Sequence, residues 1–357
     1  MAIVQTAFVG DVIFASPLAQ AIKSRHPQAR LALVVRAAQA EVASCIPGVD
    51  EVVIFDKRGA DRGPVGLWRA ARRLRGRFDV LLSLHRSTRS GLLAYLSGIP
   101  LRVGFRQGPW RLAYHRAVPW REAEPAPLPQ YLRLLEAIGI PAQNPQLRLQ
   151  APPDSPRRIE AFRLRHPELP PGPWVALCIG SVWATKRWPA VYFASLAALL
   201  SRSGYHALLL GGPGERDIES EIRRAATVEI FSDVGGTLSD AAALLSGCAA
   251  AVGGDSGLAH MARALGIPTV VLFGPTDARA HLFDRRSRPL TAQVKCRPCS
   301  RHGPQRCPKG HHDCMRLISP QEVAEAVFDL LSPRCPTPRS LPAAPAPLPA
   351  PRPETRP

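Results

Sequence analysis

The 357-residue chain carries 46 Lys and Arg against 28 Asp and Glu, a formal charge of +18. An apolar share of 46% with 21% charged residues excludes wholesale disorder, and no apolar run reaches the roughly 18 residues of a spanning helix. The length suits two domains, each able to bury its own core, and the first eleven residues show neither a basic n-region nor a cleavage site, so a cytoplasmic location is expected.

Residues 3–9 form a short apolar run, read as a strand ending at Gly10-Asp11. A helical pattern over 17–25 and a buried strand over 31–35 complete a β-α-β unit, the start of an open parallel sheet. The alternation continues with a strand over 51–55, a helix over 66–74, a strand over 80–84, a helix over 90–96 and a short strand over 102–105. Prolines between Pro145 and Pro173 then interrupt every long element, leaving one short helix at 155–165. We expect an N-terminal domain over 1–158 and a second over 159–332, both doubly wound.

The second series reads as strands over 174–179, 206–210, 228–231, 249–252 and 269–273, alternating with helices over 190–203, 215–226, 238–246 and 257–265. A last helix covers 320–331. Residues 333–357 hold ten prolines and are expected to be an extended, disordered tail. Two such domains imply a crevice between the carboxyl ends of their strands.

Polar turns at those strand ends carry the chemistry. Asp11 is a candidate general base on a rigid turn, or simply a helix cap. Gly180-Ser-Val-Trp-Ala-Thr-Lys-Arg-Trp-Pro189 offers the hydroxyls of Ser181 and Thr185 and the cation of Lys186 close to a helix start, a set suited to a diphosphate. The spacing of a P-loop is absent. Glu215, after Gly211-Gly-Pro-Gly214, is placed to meet ribose hydroxyls. In Gly253-Gly-Asp-Ser-Gly-Leu-Ala-His260, Asp255 and Ser256 are either caps or ligands for phosphate and sugar. Three such turns in one domain point to a single ligand site, a nucleotide carrying a second group.

Gly10-Asp-Val-Ile-Phe-Ala-Ser-Pro17, Thr185-Lys-Arg-Trp-Pro189, Gly253 to His260 and Phe273-Gly-Pro-Thr276, in this order, resemble the lipopolysaccharide heptosyltransferases of glycosyltransferase family nine. The similarity runs over about residues 3–331. It implies a GT-B fold, two Rossmann-like doubly wound domains facing a central crevice, the first binding acceptor and the second a nucleotide sugar. It implies inverting transfer of heptose from ADP-heptose to a lipid A-linked inner core of the heptosyl-Kdo2-lipid A type. By position, Asp11 would be the general base, Ser181, Thr185 and Lys186 would hold the diphosphate, and Glu215 would meet the ribose. Asp255, Ser256, Gly257 and His260 would line the donor phosphate and sugar. Lys186 and helix-end amides would neutralise the leaving group, so no metal is expected to be required for catalysis, though a divalent ion could assist donor binding. A related transferase using another nucleotide sugar is the alternative.

Of the eight cysteines, Cys45, Cys178 and Cys248 sit in apolar surroundings and read as core residues. Cys296-x2-Cys299-x7-Cys307-x6-Cys314, with His302, His311 and His312 inside it, has the ligands of a structural zinc; a metal-free loop near the crevice is the competing reading. Thirteen arginines between Arg58 and Arg116 face only Asp61 and Asp79, either as a solvated face or as a patch for an anionic partner. Nucleic acid is disfavoured, because aromatic residues are only 6% of the chain and no helix-turn-helix pattern is present. An anionic inner-leaflet membrane surface, bound peripherally, fits the charge and the resemblance together.

Overall fold

The computed structural model describes residues 1–332 apart from 107, 123, 125 and 142–144, so the expected proline-rich tail lies outside the described residues. Twelve strands among the described residues form two parallel sheets. The first comprises β1 (Ala2–Val4), β2 (Ala32–Val35), β3 (Glu51–Ile54), β4 (Val80–Ser83), β5 (Leu101–Phe105) and β6 (Arg116–Val118), ordered β3-β2-β1-β4-β5-β6. The second comprises β7 (Trp174–Cys178), β8 (His206–Leu210), β9 (Phe231–Ser232), β10 (Ala250–Gly254), β11 (Thr269–Phe273) and β12 (Ser287–Thr291), ordered β12-β11-β10-β7-β8-β9. Both have the doubly wound order, whose chain direction reverses between first and fourth strands; ligands bind beyond the carboxyl ends at that reversal. The sites are therefore set after β1 and β4 in one sheet and after β7 and β10 in the other.

The helices of the first half are α1 (Val9–Ile13), α2 (Ser16–Arg25), α3 (Ala40–Ser44), α4 (Gly63–Leu74), α5 (Thr88–Leu96) and α6 (Pro127–Glu136). Those that follow are α7 (Ser155–Arg165), α8 (Ala190–Arg202), α9 (Arg216–Ala225), α10 (Leu238–Ser246), α11 (Gly257–Ala264), α12 (Asp313–Arg316) and α13 (Pro320–Leu331). Strand alternation divides the first sheet. Ala2, Val4, Val34 and Leu81 pack with Leu67, Ala71 and Leu93 of α4 and α5. Ile3, Leu33 and Leu82 share a second core with Leu18, Leu134 and Leu135 of α2 and α6. That second core runs on into Phe162, Leu245 and Met261, so apolar burial joins the two halves. The far face of the second sheet packs Val175, Leu209 and Val252 against Phe193 of α8 and Val323 of α13.

Three sequence expectations change. The apolar run over 3–9 is a strand only to Val4; Val9–Ile13 is already helical, which moves Asp11 from a strand-end turn into the first turn of α1. The strand expected over 228–231 forms at Phe231–Ser232. Helix α6 and the edge strands β6 and β12 are additions to the sequence expectations: α6 opens with Pro127 in its first turn, where no N–H is needed. Arg288 and Pro289 disguise β12, a combination that only an edge strand tolerates. No described helix is long and apolar enough to cross a membrane.

Candidate active site

The site forms where the turn after β7 meets the end of β10. Trp188, buried, donates its indole N–H to the Ile318 carbonyl at 2.9 Å and pins that turn. Gly254 then lets the turn at Lys186 close onto the end of β10: a Cβ there would stand 2.4 Å from the Lys186 carbonyl oxygen. The approach sets the Lys186 Nζ 2.6 Å from Asp255 Oδ2, with both side chains nearly buried. Thr276 donates its hydroxyl to the same oxygen at 2.9 Å. The other carboxylate oxygen, Oδ1, is 2.9 Å from His260 Nε2 and 3.4 Å from His281 Nε2.

Burial alone would raise the Asp255 pKa, but the His260 hydrogen bond and the attraction of His281 and Lys186 outweigh it and hold the carboxyl well below the usual range. Burial lowers His260, and pushes His281 down to about 3. Both imidazoles are thus neutral at pH 7. The hydrogen bonds assign the tautomer of His260: its Nε2–H donates to ionised Asp255, while Nδ1 accepts from Arg263 Nη1 at 3.3 Å. The ligand atoms of Asp255, His260 and His281 lie within 4.8 Å of one another, the spacing of a metal triad, yet the Lys186 ammonium already stands at that carboxylate.

Capping does not account for this turn. Ser256 is the N-cap of α11 but makes no side-chain cap bond, and its Oγ is buried without a partner in the structure. The oxygens of Asp255 are committed to Lys186, Thr276 and His260. The first-turn amides of α11 are left without a side-chain cap, as at an anion-binding helix end.

Neighbouring turn residues are more self-contained. Ser181 Oγ accepts from the Trp183 amide at 3.2 Å, and Thr185 donates to the Pro304 carbonyl at 2.5 Å. Glu215 accepts from the Gly212 amide at 2.8 Å and lies against Gly180, 3.7 Å from Arg187. Cys45, Cys178 and Cys248 are buried, and burial pushes the Cys178 thiol up to about 12, as core packing requires. Cys296, Cys299, Cys307 and Cys314 gather around one cavity beside Thr185.

Asp11 stands on the facing wall. Its Oδ2 accepts the Phe8 amide at 3.1 Å, a capping contact, while Oδ1 accepts from the buried Tyr131 hydroxyl at 3.4 Å. Burial raises the Asp11 pKa despite these donors. The walls touch: a Cβ on Gly10 would lie 3.2 Å from His260 Cδ2, and the Phe14 ring is centred 5.1 Å from that of His260. Tyr131, Arg263 and His281 escaped the sequence reading. Tyr131 rides on the unread α6, and His281 follows β11 in a loop without pattern; only the spacing of Arg263, one turn after His260 on α11, signalled its neighbour.

Residues 67–307 match the pattern of glycosyltransferase family 9 (heptosyltransferase). The chain belongs to glycosyltransferase family 9. This family 9 enzyme is 29% identical to lipopolysaccharide heptosyltransferase 2 of Escherichia coli K12, over 92% of its own length and 97% of the relative's. It is 25% identical to lipooligosaccharide heptosyltransferase 2 of Haemophilus influenzae, over 92% and 99%. Its fold matches the family 9 glycosyl transferase of Veillonella parvula with a TM-score of 0.82, at 22% identity over 92% and 96% of the two chains. It also matches an E. coli heptosyltransferase solved with ADP-2-deoxy-2-fluoro heptose, TM-score 0.68, at 19% identity over 92% and 98%.

Proposed function

We propose that this heptosyltransferase moves a heptose from ADP-heptose to a lipid A-linked inner core, with inversion. The observation that carries the reading is the pairing of two walls: a partly buried carboxylate, Asp11, with raised pKa, against the Lys186–Asp255–His260 network and the uncapped amides of α11. In-line displacement needs this polarity. Asp11 takes the proton of the acceptor hydroxyl on one side of the sugar, and a raised pKa makes it a better base. Lys186, with the α11 amides, meets the diphosphate whose charge grows as it departs. Asp255 and neutral His260 and His281 then fix Lys186 and face the donor sugar, and Glu215 lies where a ribose would pass.

The acceptor wall supports an acidic partner. At the carboxyl ends of the first sheet Lys57 has Arg36, Arg58 and Arg89 as charged neighbours, and burial together with their repulsion lowers its pKa. Asp11 is the one acid that Arg36 feels, and a cluster of like charges with so little compensation is stabilised by an anion, such as the phosphates and acidic sugars of an inner core. Outside that wall, α4 exposes Val65 and Trp68, with the Arg72 guanidinium 4.7 Å above the Trp68 ring. An amphipathic aromatic beside arginines suits the anionic inner face of the cytoplasmic membrane, which we take as the place of action. Incubating the protein with a panel of nucleotide sugars and a truncated lipid-linked acceptor, followed by mass spectrometry, tests the reading. Transfer from ADP-heptose alone supports it; equal transfer from another nucleotide sugar defeats the donor assignment.

A further inference from the structure

Between β12 and α12 the chain runs from Thr291 to Asp313 without helix or strand. It is nevertheless tied to the donor turn. Gln305 accepts from the Ala184 amide at 3.2 Å and donates to the Val182 carbonyl at 2.9 Å, and His312 Nε2 lies 2.8 Å from the Thr185 carbonyl. Gly303, at φ +88°, sits so close that a Cβ would stand 3.1 Å from Lys186 Cγ. Arg301 reaches over to pair with Glu122 of the first half. A segment with little core of its own thus presses on the donor lysine and bridges the two halves.

Within it, Cys296, Cys299, Cys307 and Cys314 line one cavity of about 200 Å³, together with His312. The cavity opens to solvent at Cys299, and its wall brings four free thiols together beside Pro275, Pro304 and Pro308. Arg297, within electrostatic reach of Cys296, Cys299 and Cys314, donates to the Gly274, Ala292 and Thr276 carbonyls, and the backbone amides of Lys309 to His312 hydrogen-bond the Cys307 sulfur; burial raises the Cys299 and Cys314 thiols, an opposition that a bound cation would overcome. A divalent ion among four thiolates carries two excess negative charges, and Arg297 and Lys309 are there to balance them. Among the described residues no three of these sulfurs lie within 4.8 Å of one another, so a bound ion would draw the ring inward and shrink the cavity.

We infer that Cys296, Cys299, Cys307 and Cys314 bind one thiophilic divalent metal ion of the zinc class, and that the ion fixes the segment seating Gly303 on Lys186. The metal site stands independently of the donor assignment; only its effect on nucleotide affinity rests on the proposed function. Full-length protein purified without chelator should contain one first-row transition metal per chain by mass spectrometry, released stoichiometrically as a mercurial titrates the thiols. Chelated protein given Co²⁺ should develop thiolate-to-cobalt charge-transfer bands and tetrahedral d–d bands. Cys299→Ser and Cys307→Ser should lose the metal and bind ADP several-fold more weakly, while Cys45→Ser keeps both properties. Protein with no stoichiometric metal and no cobalt–thiolate bands overturns the proposal, as do disulfides mapped among these four cysteines. The cobalt titration of the unaltered chain decides even where a serine variant folds poorly. Metal loss with unchanged ADP affinity would overturn the link to Lys186 alone.

Discussion

Lys186→Met leaves the Asp255 carboxylate buried without its nearest cation, a contact 2.6 Å long between side chains only 11% and 6% exposed. Removing one partner of a buried ion pair costs about 3–5 kcal/mol. Thr276 and His260 still donate to Asp255, so the low end, about 3 kcal/mol, applies. For a domain of this size each kcal/mol shifts Tm by roughly 2–4 °C, giving a drop of roughly 6–12 °C. Asp255→Asn alone should also destabilise, but the double variant removes both charges and should recover about 2–3 kcal/mol of the summed losses. The pH dependence follows from the sign of the shift. Because the folded pKa of Asp255 is depressed, its stabilisation is present above the ordinary carboxylate pKa and fades as pH falls through the folded value. Lys186→Met raises that folded value, so acid unfolding should begin at higher pH. Scanning calorimetry of the four proteins across pH, with ADP titrations alongside, is the assay. A Met variant that melts with the parent, or strictly additive losses in the double variant, would show that the pair is not coupled as the geometry requires.

Asp11→Asn should reduce turnover by roughly 10²–10⁴-fold while leaving ADP affinity unchanged. Since burial raises the Asp11 pKa, the ionised carboxylate opposes folding near neutral pH, so the Asn variant should melt no lower than the parent; normal turnover with a lower Tm would make Asp11 a cap only. Tyr131→Phe deletes a hydrogen bond to the Asp11 carboxylate and should move the acid limb of the rate profile to higher pH; an unmoved limb means another group titrates there. Sedimentation with vesicles should show binding that rises with anionic lipid and falls with salt, and Arg62→Ser, Trp68→Ser and Arg72→Ser together should weaken it, each arginine contributing about 1 kcal/mol. Arg73 and Arg77 already pair with Asp61 and Glu51, so their replacement should matter less; equal binding to neutral vesicles sinks the idea.

The central strands were legible because burial on both faces demands continuous apolar runs such as Leu31 to Val35 and Thr269 to Phe273. Edge strands escape that demand, and β6 and β12 were accordingly invisible. Lys186, Asp255 and His260 could be singled out because polar side chains cluster just after β7 and β10, in motifs shared with the resembled family. Their mutual contact could not: it depends on Gly254 meeting the Lys186 backbone across two strands far apart in sequence. His281 enters from a loop and is placed by packing among the rings of Phe14, His260, Phe273 and Phe283, contacts that no sequence pattern announces.

The meeting of α1 and α11 has a consequence for fidelity. A Cβ on Gly257 would lie 3.0 Å from the Val9 Cβ, so the two halves close until backbone nearly rests on side chain. That closeness sets the α1 turn bearing Asp11 against the first turn of α11. On the proposed function, a nucleotide sugar held there would react with the hydroxyl that an acceptor brings. Gly257→Val would act as a wedge, holding the jaws apart and admitting water as a competing nucleophile. The wedged enzyme should, on the proposed function, squander its donor, releasing free sugar where the parent makes a glycosidic bond; unchanged hydrolysis would show that this contact does not keep water out.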